Sequence, residues 1–262
     1  MRNNGGSAAR LELSGVSLIY HQLHGETEAL RDLNLAVGAE EFVSIVGPSG
    51  CGKSTLLSLV AGLLRPATGE VRIDGERVER PTAKVGYMLQ HDHLFEWRTI
   101  LDNALLGLEV MGRRDRTAVL KVREMLGRYG LAGFENYYPR QLSGGMRQRV
   151  ALVRTLATDP DVLLLDEPFA ALDYQTRLAL EDEIGHILRE ERKTVVLVTH
   201  DISEAIAMSD RVIVLSHRPA TVVAEHRIEL GLEDHSAMSA RNDSPAFRTY
   251  FAAIWRELNV RV

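Results

Sequence analysis

A chain of 262 residues, 45% hydrophobic and 26% charged, has the size and balance of a globular protein with a substantial core. Its formal net charge of −5 leaves no excess of Lys and Arg to neutralise a phosphate backbone, so no nucleic-acid partner is expected. A single Cys excludes an internal disulfide and a cysteine-rich metal site, which fits a reducing cytoplasm, and no apolar run approaches the ~18 residues that span a bilayer.

The first ten residues, MRNNGGSAAR, lack the apolar stretch of a signal peptide and read as a disordered leader, 1–10. From Leu11 to Tyr20 apolar residues mostly alternate with polar ones, which predicts one or two β-strands. EFVSIVG, from Glu41 to Gly47, is a short buried strand ending at glycine, and Lys53 to Leu64 is helical in character. RPATGEVRIDG returns through turns to a strand, and KVGYMLQ, from Lys84 to Gln90, is strand-like again. Ile100, Leu101, Ala104, Leu105 and Leu108 then recur at helical spacing, and the pattern stays mainly helical to about Thr158. DVLLLDE, KTVVLVTH and DRVIVLS restore buried strands separated by helical stretches, so the chain is α/β with a mostly parallel sheet. The helical block over about 91–160 interrupts that sheet as an inserted subdomain. Near the end, Phe247, Tyr250, Phe251, Ile254, Trp255 and Leu258 line one helix face, which packs on the chain's own core or docks a partner.

Gly47, Pro48, Ser49, Gly50, Cys51, Gly52, Lys53, Ser54 and Thr55 spell GPSGCGKST, a G-x-x-x-x-G-K-[ST] loop between a predicted strand and a predicted helix. Glycines there let backbone N–H groups wrap phosphates, and the helix start adds partial positive charge. Lys53 is expected to reach the β- and γ-phosphates and Ser54 to ligate Mg2+. The strand VLLLDE ends in Asp166, placed to hold Mg2+, and Glu167, placed to polarise an attacking water. Further on, LSGGM (Leu142 to Met146) sets a serine and two glycines before a long predicted helix, a second anion-binding design.

LSGGM resembles the signature of ATP-binding cassette proteins, the nucleotide-hydrolysing subunits of ABC transporters. The family's other motifs occur in its order: the phosphate loop, Gln90 after a strand, the signature, Asp166 and Glu167, ALD at Ala171 to Asp173, and His200 after VVLVT. The resemblance covers residues 11–216. It implies a P-loop NTPase (RecA-like) core with an N-terminal antiparallel β subdomain and an inserted α-helical subdomain, one nucleotide-binding domain over 11–262. It implies that two copies pair head to tail around two ATP molecules, with Ser143, Gly144 and Gly145 of one copy completing the other's site. It further implies that Gln90 contacts Mg2+ and the attacking water, that His200 contacts the γ-phosphate, and that Asp173 acts across the dimer interface. Tyr20 stands where the family stacks adenine, although it also suits a strand face. Met146 replaces the usual glutamine and Ala170 a common serine, which removes a side-chain hydrogen bond and leaves backbone roles intact.

The chain has one cassette, no fused membrane helices, no sustained heptads and only a short stretch after Ser216, so it resembles a stand-alone importer subunit. MLQHDHLFEWRTILDN and SHRPATVV resemble the nitrate, sulfonate and taurine branch, which also handles bicarbonate and pyrimidine precursors. The implied partners are a second copy, two permease subunits and, indirectly, a solute-binding protein, at the cytoplasmic face of the inner membrane. The alternatives are a soluble ABC-type switch and a lipid or amino-acid transporter ATPase. Two local expectations remain. Leu94, Phe95 and Trp97 lie in a loop, exposed for a permease or folded onto Ile100 and Leu101. Cys51, near a helix start and Lys53, is either thiolate-prone or an inert filler.

Overall fold

The computed structural model describes residues 9–22, 25–232 and 236–259; residues 1–8 of the expected leader fall outside them. In chain order the strands are β1 (Leu11–Gln22), β2 (Gly25–Val37), β3 (Phe42–Val46), β4 (Thr68–Ile73), β5 (Glu76–Arg77), β6 (Val85–Met88), β7 (Val162–Asp166), β8 (Thr194–Thr199), β9 (Arg211–Leu215) and β10 (Val222–Arg227). The helices are α1 (Lys53–Val60), α2 (Ile100–Ala104), α3 (Leu106–Val110), α4 (Arg116–Arg128), α5 (Gly144–Leu156), α6 (Tyr174–Glu190), α7 (Ile202–Met208), α8 (Ala237–Asp243) and α9 (Pro245–Asn259). The chain divides into two compact units, one formed by 1–82 with 181–262 and one by 83–180.

In the first unit β2, β1, β4 and β5 form an antiparallel sheet in that order. The unit's other strands follow the order β10-β9-β3-β8, with β3 parallel to both β8 and β9 and β10 antiparallel at the edge. Parallel strands need crossover connections, and α7 supplies the one from β8 to β9, which lie on either side of β3. All residues of β3 and β8 are buried, the continuous apolar pattern of strands covered on both faces. Val46, Ile202, Ile206, Val212, Val214, Phe247 and Ile254 share one core cluster, so α7 and α9 pack against the strands that carry the phosphate loop. The C-terminal stripe therefore splits. Phe247 and Ile254 are core, Tyr250, Phe251 and Leu258 are half-buried, and Trp255 is 57% exposed.

Two differences from the sequence expectation have local causes. The long β2 was not anticipated, because its buried residues Leu30, Leu33, Leu35 and Val37 break strict alternation. A bulge explains the break: Val16 pairs with Leu33 and Leu18 with Leu30, Asp32 has φ +43, and its N–H donates to Ser17 Oγ at 2.9 Å. Helix α1 stops at Val60 rather than Leu64, because Gly62 takes φ +71 and Leu63 N–H turns back to the Ser58 carbonyl at 2.9 Å.

In the second unit β6 runs parallel to β7 in the register Met88 to Leu165. Helices α2, α4 and α5 pack together, and α5 also covers β6. The expected helical run is broken over 129–143, where Gly130 and Gly133 adopt positive φ and Pro139 begins a single 3-10 turn.

Candidate functional site

The first unit holds the glycine-rich loop between β3 and α1. Strand β3 delivers the chain to Gly47, and α1 begins at Lys53 behind an N-cap glycine, with no capping side chain and no acid in its first turn. The partial positive charge of that helix end is therefore offset by no capping side chain and no first-turn acid. Gly52 has φ +129, and a Cβ there would lie 2.9 Å from Leu30 Cδ2 and 3.1 Å from the Ala29 carbonyl oxygen, so only glycine fits. A Cβ on Gly47 would sit 2.9 Å from Cys51 Sγ. Lys53 is buried and donates from Nζ to the carbonyls of Gly47 at 2.8 Å and Pro48 at 3.1 Å. Its charge is held over the loop by weak neutral acceptors that a phosphate oxygen outcompetes. Ser49, Gly50 and Ser54 are exposed along the same loop. Tyr20 Oη lies 3.2 Å from Thr55 Oγ1, which brings the expected adenine-stacking residue to the loop's end. Val46 pairs with Thr199, so Gly47 and His200 leave their parallel strands at the same edge, and His200 is exposed there. The crevice beyond the carboxyl ends of parallel strands is where α/β folds bind ligands.

Of the two readings of the thiol, burial favours the filler. Cys51 is 2% exposed, and burial pushes its pKa up despite the opposing pull of Lys53. It packs as a small filler beneath the loop, in surroundings that disfavour the thiolate.

The second unit holds the acids. Asp166 ends β7 and Glu167 follows it, and the parallel register brings Gln90 out at the same end of β6. Gln90 Nε2 is 3.5 Å from Glu167 Oε2, the outer limit of a hydrogen bond. Glu167 has φ +47, a left-handed conformation unusual for a residue with a Cβ and found preferentially at functional sites. Asp166 is buried and accepts from Tyr87 Oη at 3.2 Å, a partner that the sequence reading did not identify. Ala170 N–H bonds to the Glu167 carbonyl at 3.2 Å and Leu172 N–H to that of Phe169 at 3.2 Å, and Arg177 Nη2 donates to the Leu172 carbonyl at 3.2 Å, which together hold the turn before Asp173. Asp173 is exposed, and its hydrogen bonds with Thr176 hold its carboxyl below the ordinary range.

The signature forms a second helix start. Ser143 caps α5, its Oγ accepting from Met146 N–H at 3.3 Å, and it is exposed. Gly145 is buried, and a Cβ there would lie 2.9 Å from Thr176 Cγ2. Helix α5 is tied to the loop after Gln90 by two arginines. Arg147 Nε bonds Asp92 Oδ2 at 3.0 Å, and Arg154 donates to the carbonyls of His93, at 2.9 Å, and Asp92, at 2.6 Å. In that loop the two alternatives divide: Leu94 is buried and so is not available to a partner, whereas Trp97 is 74% exposed and stacks on half-buried Phe95 at 4.8 Å and 15°.

Comparison with known proteins decides the family. The ABC transporter model matches residues 30–170, more than half of the chain. The chain belongs to the ABC transporter family. Among its relatives, the uncharacterized ABC transporter ATP-binding protein YtlC of Bacillus subtilis is 45% identical over 95% of both chains. The aliphatic sulfonates import ATP-binding protein SsuB of Bacillus cereus is 42% identical over 81% of this chain and 83% of its own. The nitrate import ATP-binding protein NrtD of Synechocystis is 40% identical over 92% of this chain and 87% of its own. A dimeric post-hydrolysis state of the ATP-binding cassette MJ0796, bound to ADP and Pi, superposes with a TM-score of 0.71 and 34% identity over 84% of this chain and 99% of that one. This ABC chain is accordingly an ATP-binding ATPase with the P-loop NTPase fold.

Proposed function

We propose that the chain is the ATP-hydrolysing subunit of an ABC importer for a small solute of the nitrate, sulfonate, taurine, bicarbonate or pyrimidine-precursor class. The names of its sulfonate- and nitrate-importing relatives support that branch. It works as a head-to-tail homodimer beneath two permease subunits fed by a solute-binding protein, peripheral to the cytoplasmic face of the membrane. No helix among the described residues is long and apolar enough to cross a bilayer, so membrane attachment runs through the permease.

The observation that carries the reading is Lys53 folded over an uncapped helix start. When ATP enters, Lys53 exchanges the Gly47 and Pro48 carbonyls for β- and γ-phosphate oxygens, while loop N–H groups wrap the phosphates. Tyr20 stacks on the adenine. Ser54, Gln90 and Asp166 offer the hard oxygen donors that Mg2+ takes. Bound Mg2+ supplies neutralisation of phosphate charge. Glu167 takes a proton from the water that Gln90 orients; the water oxygen bonds the γ-phosphorus as its bond to ADP breaks, and His200 holds the departing phosphate. Ser143, Gly144 and Gly145 point the start of α5 at the nucleotide of the second copy, and Asp173 acts across that interface.

Glu167→Gln keeps the shape and removes the base. ATP binding is expected to persist, hydrolysis to fall by about 10²-fold or more, and an ATP-bound dimer to accumulate on size-exclusion chromatography. Near-normal turnover removes Glu167 from the mechanism. Copurification with a polytopic membrane protein distinguishes an importer subunit from a soluble switch.

A further inference from the structure

We infer that Arg218 is a positioning residue for the phosphate loop, a role that rests on the nucleotide-binding reading above. Its guanidinium reaches across to the exposed crown of the loop and donates to the Gly50 carbonyl, from Nε at 3.1 Å and through a second, shorter bond from Nη2. Gly50 stands at φ +72, the conformation that turns its carbonyl outward while the loop's N–H groups face inward. An outward carbonyl on an exposed loop is normally left to water. Here it is bound by a fork that fixes its direction.

The arginine sits on a rigid base. Ser216 Oγ accepts from Thr221 N–H at 3.0 Å and lies 3.1 Å from Thr221 Oγ1, closing the turn that holds 217–220. Ala220 N–H donates to the Ala29 carbonyl at 2.9 Å, and Arg31 N–H donates to the Ala220 carbonyl at 3.1 Å, which anchors the turn to β2. Packing does not do the same work. A cavity of about 480 Å³, lined by Pro48, Arg31, His217 and Arg218 among others, leaves this side of the loop open. Two hydrogen bonds to Gly50 therefore restrain the loop on its open side. Preorganised donors bind an anion without the cost of ordering the loop on each cycle.

The test uses the full chain as Arg218→Ala, Arg218→Lys and the neighbouring control His217→Ala, with ATP affinity from a fluorescent ATP analogue alongside KM, kcat and the thermal midpoint. Arg218→Ala is expected to weaken nucleotide binding and raise KM by about three- to tenfold, the scale of a net hydrogen bond or two, with kcat at saturating ATP retained. Because Arg218 is exposed, its thermal midpoint is expected to stay at the parent value. Arg218→Lys keeps the charge but not the fork and is expected to recover only part of the affinity. His217→Ala is expected to match the parent. Unchanged affinity in Arg218→Ala overturns the proposal, as does complete recovery by lysine, which would leave charge alone as the cause. A fall in thermal midpoint that tracks the loss of affinity also overturns it, in favour of a merely structural role. A parent chain that binds the analogue without hydrolysing ATP counts against the ATPase reading and leaves the Arg218 comparison measurable.

Discussion

Single residues in the cradle behave as their burial dictates. Cys51 shows how burial outweighs neighbouring charge: a helix start and a lysine both favour thiolate, but a side chain with 2% exposure pays more in lost hydration than they return. The sign follows directly. A raised pKa makes thiolate rarer than in a free cysteine at neutral pH, and reactivity recovers only as pH rises above the ordinary thiol range. Maleimide treatment at pH 7 is therefore expected to leave native Cys51 largely unmodified and ATPase activity intact, with rapid labelling only after denaturation, as mass spectrometry of the two samples checks. Rapid labelling of the native chain would contradict this. Lys53 is buried as well, but it keeps carbonyl partners that a phosphate can replace, so its burial prepares it for exchange.

At the scale of the element, the loop after β6 is organised by one side chain. Asn103, fully buried on α2, accepts from Phe95 N–H at 2.7 Å and donates to the carbonyls of Phe95, Arg98 and Thr99 at 3.0–3.2 Å. Arg98 continues the frame by pairing with Glu109, which also receives Arg114. These bonds are why Trp97 can stand exposed on a defined loop. Asn103→Ala strips partners from several buried backbone groups and is expected to cost about 2–3 kcal/mol, seen as a lower urea midpoint, with faster amide exchange confined first to 95–99. A stability loss without faster exchange in that loop would assign Asn103 to core packing instead. The same loop is tied to α5 by Arg147 and Arg154 through Asp92 and His93, so the segment that follows Gln90 and the helix that starts at the signature move together.

For the whole molecule, one unit carries the phosphate loop, and the other carries the strand-end acids together with the exposed Phe95–Trp97 loop. The unit with the phosphate loop has a stacked pair of its own, Phe251 with the exposed Trp255, but it lies on the C-terminal helix α9, whereas the Phe95–Trp97 stack follows Gln90 closely in the chain. Exposed apolar groups of this size mark binding surfaces, and tryptophan is a favoured anchor. Phe95→Ala with Trp97→Ala is expected to leave the ATPase activity of the isolated chain largely intact. Assembly with the permease, or stimulation of hydrolysis by solute in reconstituted vesicles, is expected to be lost. Normal transport by the double variant would remove this loop from the permease contact.

The sequence by itself determined the features written in adjacent residues. GPSGCGKST between a buried strand and a helix, VLLLDE, LSGGM and the order of these motifs identified the α/β class and the family, because phosphate loops and strand-end acids are local constructions read from consecutive residues. What depended on distant residues was decided only in the tertiary structure. The bulge that hid β2 arises where Asp32 meets Ser17, and Tyr87 finds Asp166 only because β6 and β7 run parallel. Leu94 and Cys51 had to be buried before their sequence neighbourhoods could be read correctly, and Arg218 reaches Gly50 across most of the chain's length. Local backbone chemistry is encoded in neighbouring residues, whereas burial and long-range hydrogen bonds depend on which segments the fold brings into contact.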